Sequence, residues 1–231
     1  MAEIRGLLFD KDGTLFDFQA TWGGWAADLM TELADGVEAR AEDLAARIRL
    51  DRPARRFHPD SILIAGTTDD AVEALLPGLP HLSYEGLYAK LIESTLTIPP
   101  AVATPLAPLM DRFRSAGFVL GVATNDAESA ARAQLDALDV THCFDFIVGA
   151  DSGHGAKPAP GQCLAFCAAT GLLPHEVAMI GDSTHDLYAG QAAGMVPIAV
   201  LTGPAGSPEL APHAAAVLPD IGHLPAWLDL P

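Results

Sequence analysis

The spacing of hydrophobic positions changes twice along the chain. Ile4–Phe9 is a short apolar run, interrupted only by Arg5, that ends in the polar turn DKDG, a pattern typical of a buried strand followed by a loop. Between Thr21 and Leu96 the apolar positions recur at helical spacing, and Pro and Gly residues separate the segments. We predict four helices there, over Trp22–Ala34, Val37–Leu50, Asp69–Leu76 and Tyr84–Leu96. The pattern leaves Ile62–Ala65 ambiguous between strand and helix.

After Pro99-Pro100 predicted helices and strands alternate. The predicted helices are Leu106–Ser115, Glu128–Leu138, Gly161–Thr170 and Leu187–Ala193, and the predicted strands are Phe118–Ala123, Phe146–Val148, Val177–Ile180, Pro197–Leu201 and Ala216–Leu218. Such alternation indicates βαβ units, a parallel sheet and right-handed crossovers. We therefore predict an α/β fold: a Rossmann-like parallel-sheet core domain over residues 1–16 and 98–231, with an all-helical cap domain, 17–97, inserted after the first strand.

Composition and charge restrict the class of protein. Half of the 231 residues are hydrophobic and 19% are charged, which excludes a disordered chain and a coiled coil. A formal net charge of −17 argues against a nucleic-acid partner but leaves room for a small anionic substrate, since a few local cations override the overall field. The sequence has no apolar run long enough for a membrane span, no signal-peptide pattern, and only three cysteines. We expect a cytoplasmic protein without a membrane partner.

Two carboxylates follow the first predicted strand, in Asp10-Lys11-Asp12-Gly13-Thr14. Ligands of open α/β sheets bind outside the carboxyl ends of the strands, so both carboxylates are expected at one site. Asp10 is a candidate nucleophile toward phosphorus, and Asp12 is a candidate general acid and base. Oxygen atoms from both are suitable ligands for Mg²⁺. Taken alone, the motif is also compatible with an Asp-Gly surface turn.

Three further polar motifs follow other predicted strands. Thr124-Asn125 precedes a helix whose N-terminal amides, together with the Thr hydroxyl, can hold a phosphate. Lys157-Pro158 follows a Gly-rich loop and offers a cation to phosphoryl oxygens and to the nucleophile. Asp182 is placed to complete a metal shell, and Asp186 to support it. Each motif alone also fits a helix cap or a solvated lysine, whereas together they supply all the parts of a phosphoryl-transfer site.

These motifs resemble those of the haloacid dehalogenase superfamily, in particular its phosphatase branch with a helical cap after the first strand. The stretches Lys157-Pro-Ala-Pro and Val177-Ala-Met-Ile-Gly-Asp-Ser are similar to phosphoglycolate phosphatases. The resemblance implies that Asp10 attacks phosphorus and ligates Mg²⁺. It also implies that Asp12 is the general acid and base and offers its backbone carbonyl to the metal.

The same resemblance assigns the remaining residues. It implies that Thr124 and Lys157 hold the phosphoryl group, with further contacts from Asn125. Asp182 would be the third protein ligand of Mg²⁺, and Asp186 would support the ligands or reach the metal directly. Relatives that cleave carbon–halogen bonds or phosphonates usually lack an acid at the position of Asp12, which favours a phosphatase.

The sequence indicates the substrate less clearly than the chemistry. A cluster of arginines in the cap segment contains candidates for binding a substrate carboxylate or second phosphate, namely Arg52, Arg55 and Arg56. A solvated helix end is the alternative for each of them. The segment Phe16-Asp17-Phe18 departs from the Asp-Ser that glycolate-type relatives often have, which puts phosphoglycolate itself in doubt. Trp22 and Trp25 fit either a wall of the site or the cap core.

We predict from these features a Mg²⁺-dependent phosphomonoester hydrolase that forms an aspartyl-phosphate. Its expected substrate is a small phosphorylated metabolite, either phosphoglycolate-like or a sugar phosphate. A β-phosphoglucomutase-like phosphomutase would use the same Asp10 and Asp12, beneath a cap that excludes water. A non-enzymatic, receiver-like phospho-accepting module would need neither Asp12 nor a cap. The sequence leaves open whether the protein is a monomer or a homodimer.

Overall fold

A parallel sheet of six strands forms the centre of the protein. The computed structural model describes residues 3–102 and 104–230. Its strands are β1 (Gly6–Phe9), β2 (Leu50–Asp51), β3 (Arg56–Phe57), β4 (Val119–Ala123), β5 (Phe146–Val148), β6 (Val177–Gly181), β7 (Val196–Val200) and β8 (Ala216–Leu218). In the large sheet the strand order is β5-β4-β1-β6-β7-β8, with all neighbours parallel. Strand β1 is therefore central, and its unbroken apolar run fits a strand buried on both faces.

Ten α-helices accompany the strands in the described part of the chain. They are α1 (Phe18–Leu33), α2 (Glu38–Arg47), α3 (Thr68–Leu75), α4 (Tyr84–Thr95), α5 (Leu106–Ser115), α6 (Glu128–Ala137), α7 (Gly161–Thr170), α8 (Thr184–Ala193), α9 (Ser207–Leu210) and α10 (Leu224–Trp227). The predicted α/β fold with its parallel sheet is thus confirmed. None of these helices combines the length and apolar character needed to span a bilayer.

The observed elements differ from the predicted ones mainly in the cap segment, as we call residues 17–97. Helix α1 starts at Phe18 because the Asp17 carboxylate accepts a hydrogen bond from the Ala20 amide (2.9 Å) and caps the helix there. Helix α2 ends at Arg47, before the predicted Leu50, since Arg49 has a left-handed φ of 55° and Leu50 then begins a two-stranded ladder, β2–β3. The cap segment is therefore helical except for this ladder. The ambiguous stretch forms a short 3₁₀ helix, Ile62–Ile64.

The buried side chains of the cap segment form a separate hydrophobic cluster. That cluster runs from Phe18 to Ile98 and includes Trp22, Met30 and Leu44. The clusters on the two faces of the large sheet draw instead on residues before 17 and after 105. On this basis we propose that residues 17–97 are a cap domain inserted into a core domain over 1–16 and 98–231. Residues 1, 2, 103 and 231 of that core lie outside the described residues.

Candidate active site

Asp10 occupies the centre of the candidate site because it directly follows the central strand β1. Its side chain is buried, and its backbone amide donates to Ile180 O (2.8 Å) on the neighbouring strand β6. Lys157, from the loop after β5, reaches the same point. The Lys157 Nζ donates to Asp10 Oδ1 (2.5 Å), to Asp186 Oδ1 (2.7 Å) and to Ala123 O (2.8 Å). The structure thus brings the predicted nucleophile and the predicted phosphate-binding cation into direct contact.

Asn125 fixes the loop that carries Lys157. Its Oδ1 accepts from the Lys157 amide (2.8 Å), and its Nδ2 donates to Lys157 O (2.9 Å). The same Nδ2 also donates to Ala65 O of the cap segment (2.8 Å). Asn125 therefore positions the backbone of Lys157 and connects it to the cap, in addition to any contact with a ligand.

Three buried carboxylates lie close together, from the ends of β1 and β6 and from the first turn of α8. Oxygen atoms of Asp10, Asp182 and Asp186 are all within 4.8 Å of one another. Burial raises the pKa of Asp10 to about 7, with Asp186 and Asp12 adding to the rise and Lys157 opposing it. Burial, together with Asp10 and Asp186, also raises the pKa of Asp182 well above its usual value. A hard divalent cation would offset this repulsion, and carboxylate oxygens are the ligands it prefers, so these residues fit Mg²⁺.

The Lys157 ammonium responds to the same carboxylates. Burial by itself disfavours its charged form, but Asp10 and Asp186 outweigh that effect and raise the pKa of Lys157 above its ordinary value. Lys157 therefore stays protonated as a fixed point charge beside Asp10.

Close backbone packing holds Asp182 in place. Gly13, in the turn after β1, has a left-handed φ of 84°, and a methyl group there would collide with the Asp182 carboxylate. A methyl group on Gly203, in the loop after β7, would also collide with that carboxylate. The Thr202 hydroxyl, next to Gly203, donates to Gly13 O (2.5 Å) and ties the two backbone segments together. The loop after β7 is thus part of the site.

Asp12 is held by a cation from the core and an indole from the cap. Its Oδ2 forms an ion pair with Lys11 Nζ (2.8 Å), and its Oδ1 accepts from Trp22 Nε1 (2.6 Å). The Asp12 side chain is not among the clustered carboxylates of the described residues. Its predicted metal contact runs through the backbone carbonyl and stays a prediction.

Lys11, which lies between Asp10 and Asp12 in the sequence, is fully buried. Besides Asp12, its Nζ contacts Asp126 Oδ2 (2.9 Å) and Gln134 Oε1 (2.5 Å). Burial disfavours the ammonium, but Asp12 and Asp126 outweigh this and raise the pKa of Lys11. Lys11 thus connects the acid/base candidate to the start of α6.

Thr124 lies at the end of β4, buried beside the cavity. Its hydroxyl accepts from the Asp126 amide (3.1 Å), and its carbonyl accepts from Gln162 Nε2 (2.9 Å). Asp186 caps α8, because its Oδ2 accepts from the Ser183 amide (3.0 Å) and hydroxyl (2.6 Å) while Oδ1 faces Lys157. Both residues lie where the strand-end argument placed them.

A cavity of about 110 Å³ lies between these groups and the cap segment. Its core side is lined by the predicted residues, namely Asp10, Asp12, Thr124, Asn125, Lys157, Asp182 and Asp186. Its cap side includes Trp22 and Trp25, which pack edge to face with ring centroids 5.1 Å apart. The two tryptophans thus both line the cavity and belong to, or pack against, the hydrophobic cluster of the cap.

The predicted cap arginines do not line this cavity. Arg52 pairs with Glu38 and Glu42 along α2, and Arg55 pairs with Asp28 on α1 (2.7 Å). Arg56 lies in β3 and faces a separate groove against Thr202 and Pro204. A specificity role for these arginines stays a prediction, and none of the three lines the cavity.

Sequence reasoning missed two contributors to the site and left the role of a third open, because the local pattern gave little signal for them. Lys11 and Gly203 were not singled out in the sequence, and Trp22 fitted either the cap core or a wall of the site. Each acquires its role from a partner distant in sequence or on another element. Only the position of Lys11 between Asp10 and Asp12 marks it before the fold is known.

Comparison with known proteins agrees with this geometry. The family described as haloacid dehalogenase-like hydrolase matches residues 4–194. A phosphoglycolate phosphatase of Escherichia coli (strain K12) is 26% identical over 216 residues, which cover 83% of this chain and 79% of that protein. The "Probable phosphatase IndB" of Dickeya dadantii (strain 3937) is 30% identical over 199 residues, which cover 85% of this chain and 81% of that protein.

Among solved structures, CbbY from Rhodobacter sphaeroides in complex with phosphate superposes with a TM-score of 0.72 and covers 98% of this chain and 100% of its own. Its identity of 20% limits that likeness to the fold. The family match extends over most of the chain and over all the motifs from Asp10 to Asp186. The chain therefore belongs to the haloacid dehalogenase-like hydrolase family.

Proposed function

We propose that the chain is a phosphatase that hydrolyses small phosphomonoesters through an aspartyl-phosphate on Asp10. The observation that carries this proposal is the pairing of buried Asp10 with Lys157 at the base of a cavity that Asp12 also lines. A nucleophile, a fixed cation and an acid/base candidate thus face one space large enough for a phosphoryl group. The names of the relatives support the same class of reaction.

In the first proposed step an Asp10 oxygen attacks phosphorus, and the bond between phosphorus and the ester oxygen breaks. Asp12 gives its proton to the departing alcohol oxygen. Lys157 and Thr124 hold the phosphoryl oxygens, and Lys157 offsets part of their charge. The products of this step are the free alcohol and an acyl phosphate on Asp10.

In the second proposed step water attacks the phosphorus of the acyl phosphate. Asp12, now a carboxylate, takes a proton from that water, and the bond between Asp10 and phosphorus breaks. Inorganic phosphate leaves, Asp10 regains its carboxylate, and Asp12 is protonated for the next cycle. Atoms and charges balance with water as the only co-reactant.

We further propose that Mg²⁺ is held by the Asp10 and Asp182 carboxylates and the Asp12 backbone carbonyl. Asp186 lies in the same carboxylate cluster and either orients these ligands or contributes an oxygen of its own. The bound cation would offset the charge of the phosphoryl group and of the clustered carboxylates.

The test is release of inorganic phosphate from a panel of small phosphomonoesters, measured with Mg²⁺ and with a chelator. We expect phosphate release that the chelator abolishes. We also expect Asp10→Asn to abolish release while keeping the thermal unfolding midpoint of the unmodified protein. Near-normal turnover by Asp10→Asn would overturn the covalent route. Consumption of a sugar phosphate without release of phosphate, dependent on a sugar bisphosphate, would indicate a phosphomutase instead.

A further inference from the structure

The cavity above Asp10 has two chemically different sides. All charged side chains that line it come from the core, including Lys157 and five aspartates. Residues 17–97 are all described, and those among them that line the cavity are apolar or are small neutral residues. Phe18, Trp25, Leu63 and Ile64 are examples of this cap wall. The wall lies over the proposed site of phosphoryl transfer, where the alcohol portion of a substrate would extend.

Apart from Trp22 Nε1, which donates to Asp12, the polar donors of the cap wall described next have partners within the cap. The Thr95 hydroxyl donates to Ile92 O (2.7 Å), and Trp25 Nε1 donates to Ser94 Oγ (3.2 Å). The Thr67 hydroxyl likewise donates to its capping partner, a carboxylate of Asp70 (2.8 Å). What these residues offer to a ligand is therefore mostly hydrocarbon surface.

Four arginines of the cap segment form ion pairs with carboxylates of the same segment. Arg52 and Arg55 both pair with carboxylates of α1 and α2, as described above. Arg49 pairs with Asp60 (2.7 Å), and Arg47 with Asp43 (2.7 Å). The cap arginines that the sequence marked as candidates for binding a substrate anion thus do not reach the cavity.

We propose that the natural substrate is a phosphomonoester of an uncharged, hydrocarbon-rich alcohol, and not phosphoglycolate. This inference rests on the proposed phosphatase function and concerns only the leaving group. A carboxylate on the alcohol would lose its hydration against the cap wall without gaining a cation, and Asp12 and Asp126, which also line the cavity, would repel it. A hydrocarbon group in the same place gains free energy by leaving water.

The experiment compares kcat/KM for methyl, ethyl, n-propyl and n-butyl phosphate with that for phosphoglycolate, whose leaving group is similar in length to propanol. The alkyl alcohols have similar basicity, so the series reports mainly on the cap wall. We expect kcat/KM to rise by about twofold to fourfold for each methylene. We expect phosphoglycolate to be turned over at least about tenfold less efficiently than n-propyl phosphate.

The two proposals fail differently in this assay. Equal values across the alkyl series, with phosphoglycolate at or above n-propyl phosphate, would overturn the apolar leaving group while the phosphatase stands. Absence of phosphate release from every ester in the presence of Mg²⁺ would overturn the phosphatase itself.

A pair of variants in one 3₁₀ turn tests the wall directly. Ile64 lines the cavity, whereas Ile62, two residues earlier, is 44% exposed and does not line it. Ile64→Arg should raise the ratio of kcat/KM for phosphoglycolate to that for n-propyl phosphate by at least about tenfold, and Ile62→Arg should leave this ratio unchanged. The proposal would be overturned if both variants changed this ratio equally, or if neither variant changed it.

A milder pair covers the case in which Ile64→Arg prevents folding, as judged by circular dichroism. Ile64→Ala should raise KM for n-propyl phosphate several-fold and leave that for methyl phosphate unchanged, while Ile62→Ala changes neither. Unchanged constants for n-propyl phosphate in Ile64→Ala would contradict the assigned wall.

Discussion

The hydrogen bond from Trp22 to Asp12 leads to a prediction about how the cap takes part in chemistry. Trp22 lies on α1 of the cap segment, is 7% exposed, and donates from Nε1 to Asp12 Oδ1 at 2.6 Å. Trp22→Phe removes this donor and keeps an aromatic ring in the cap wall. We expect the variant to lose catalytic efficiency because Asp12 is then positioned by Lys11 alone.

The size of the effect follows from the type of hydrogen bond. A hydrogen bond to a charged group contributes about 1.5–3 kcal/mol, and about 1.4 kcal/mol corresponds to a factor of ten in rate. The ion pair between Lys11 and Asp12 remains in the variant, so we take the lower half of that range. We therefore expect kcat to fall by about tenfold to fortyfold, with a smaller change in KM.

Trp25→Phe is the matched control. Trp25 lies one helical turn further along α1 and also lines the cavity, but its Nε1 donates to the neutral Ser94 Oγ at 3.2 Å. The same substitution there removes a similar volume and a weaker hydrogen bond that does not involve Asp12. We expect both variants to lower the unfolding midpoint, and only Trp22→Phe to lower kcat strongly.

A double-mutant cycle assigns the effect to Asp12. Phosphate release is measured for Trp22→Phe, Asp12→Ala and the double variant with one alkyl phosphate. If Trp22 acts through Asp12, Trp22→Phe has little further effect once Asp12 is alanine. Equal losses in both backgrounds, or equal losses of kcat in Trp22→Phe and Trp25→Phe, would refute the positioning role.

Two further predictions concern backbone packing and a buried charge. Gly203→Ala should lower kcat/KM at least about tenfold and raise the Mg²⁺ concentration needed for half-maximal activity in a metal titration, because its methyl group displaces Asp182. Gly206→Ala is the control, since the nearest neighbour of its methyl group would be 3.6 Å away, and it should change neither quantity. Normal metal dependence of the Gly203 variant would contradict this. Lys11→Met should lower the free energy of unfolding in urea by about 3–5 kcal/mol, because it removes a fully buried ammonium and leaves two carboxylates that are each only 14% exposed without their cation. Lys90→Met, which removes a half-exposed ion pair, should cost at most about 1 kcal/mol, and equal losses would contradict the reasoning.

The core of the fold was predictable from the sequence because two signals agree there. Buried parallel strands such as Val177–Ile180 give unbroken apolar runs, and the polar residue after each run marks the edge where ligands bind. Asp10, Thr124 and Asp182 were found by that rule, and the structure places all three around one cavity. Topology alone brings such residues together, whatever the loops between them.

The cap was less predictable, because helical periodicity says only that a face is buried. It does not say whether the face packs on protein or on a ligand, so the sequence left Trp22 open between the cap core and a wall of the site. Charge clustering in the sequence is similarly incomplete information: Arg52 and Arg55 belong to a basic run, and only the structure shows that acidic residues on α1 and α2 pair with them. The role of Gly203 depends on a long-range approach to Asp182 that no local pattern encodes.

Two hydrogen bonds connect the cap segment to residues of the candidate site. One hydrogen bond joins Trp22 to the acid/base candidate Asp12, and another joins Ala65 O to Asn125, which fixes the loop of Lys157. Both end on residues that hold or position the proposed chemical groups. A displacement of the cap would therefore loosen proton transfer and phosphoryl binding at once, and would open the apolar wall to water. The position of the cap therefore affects both the proposed binding of the alcohol group and the geometry of the proposed catalytic residues.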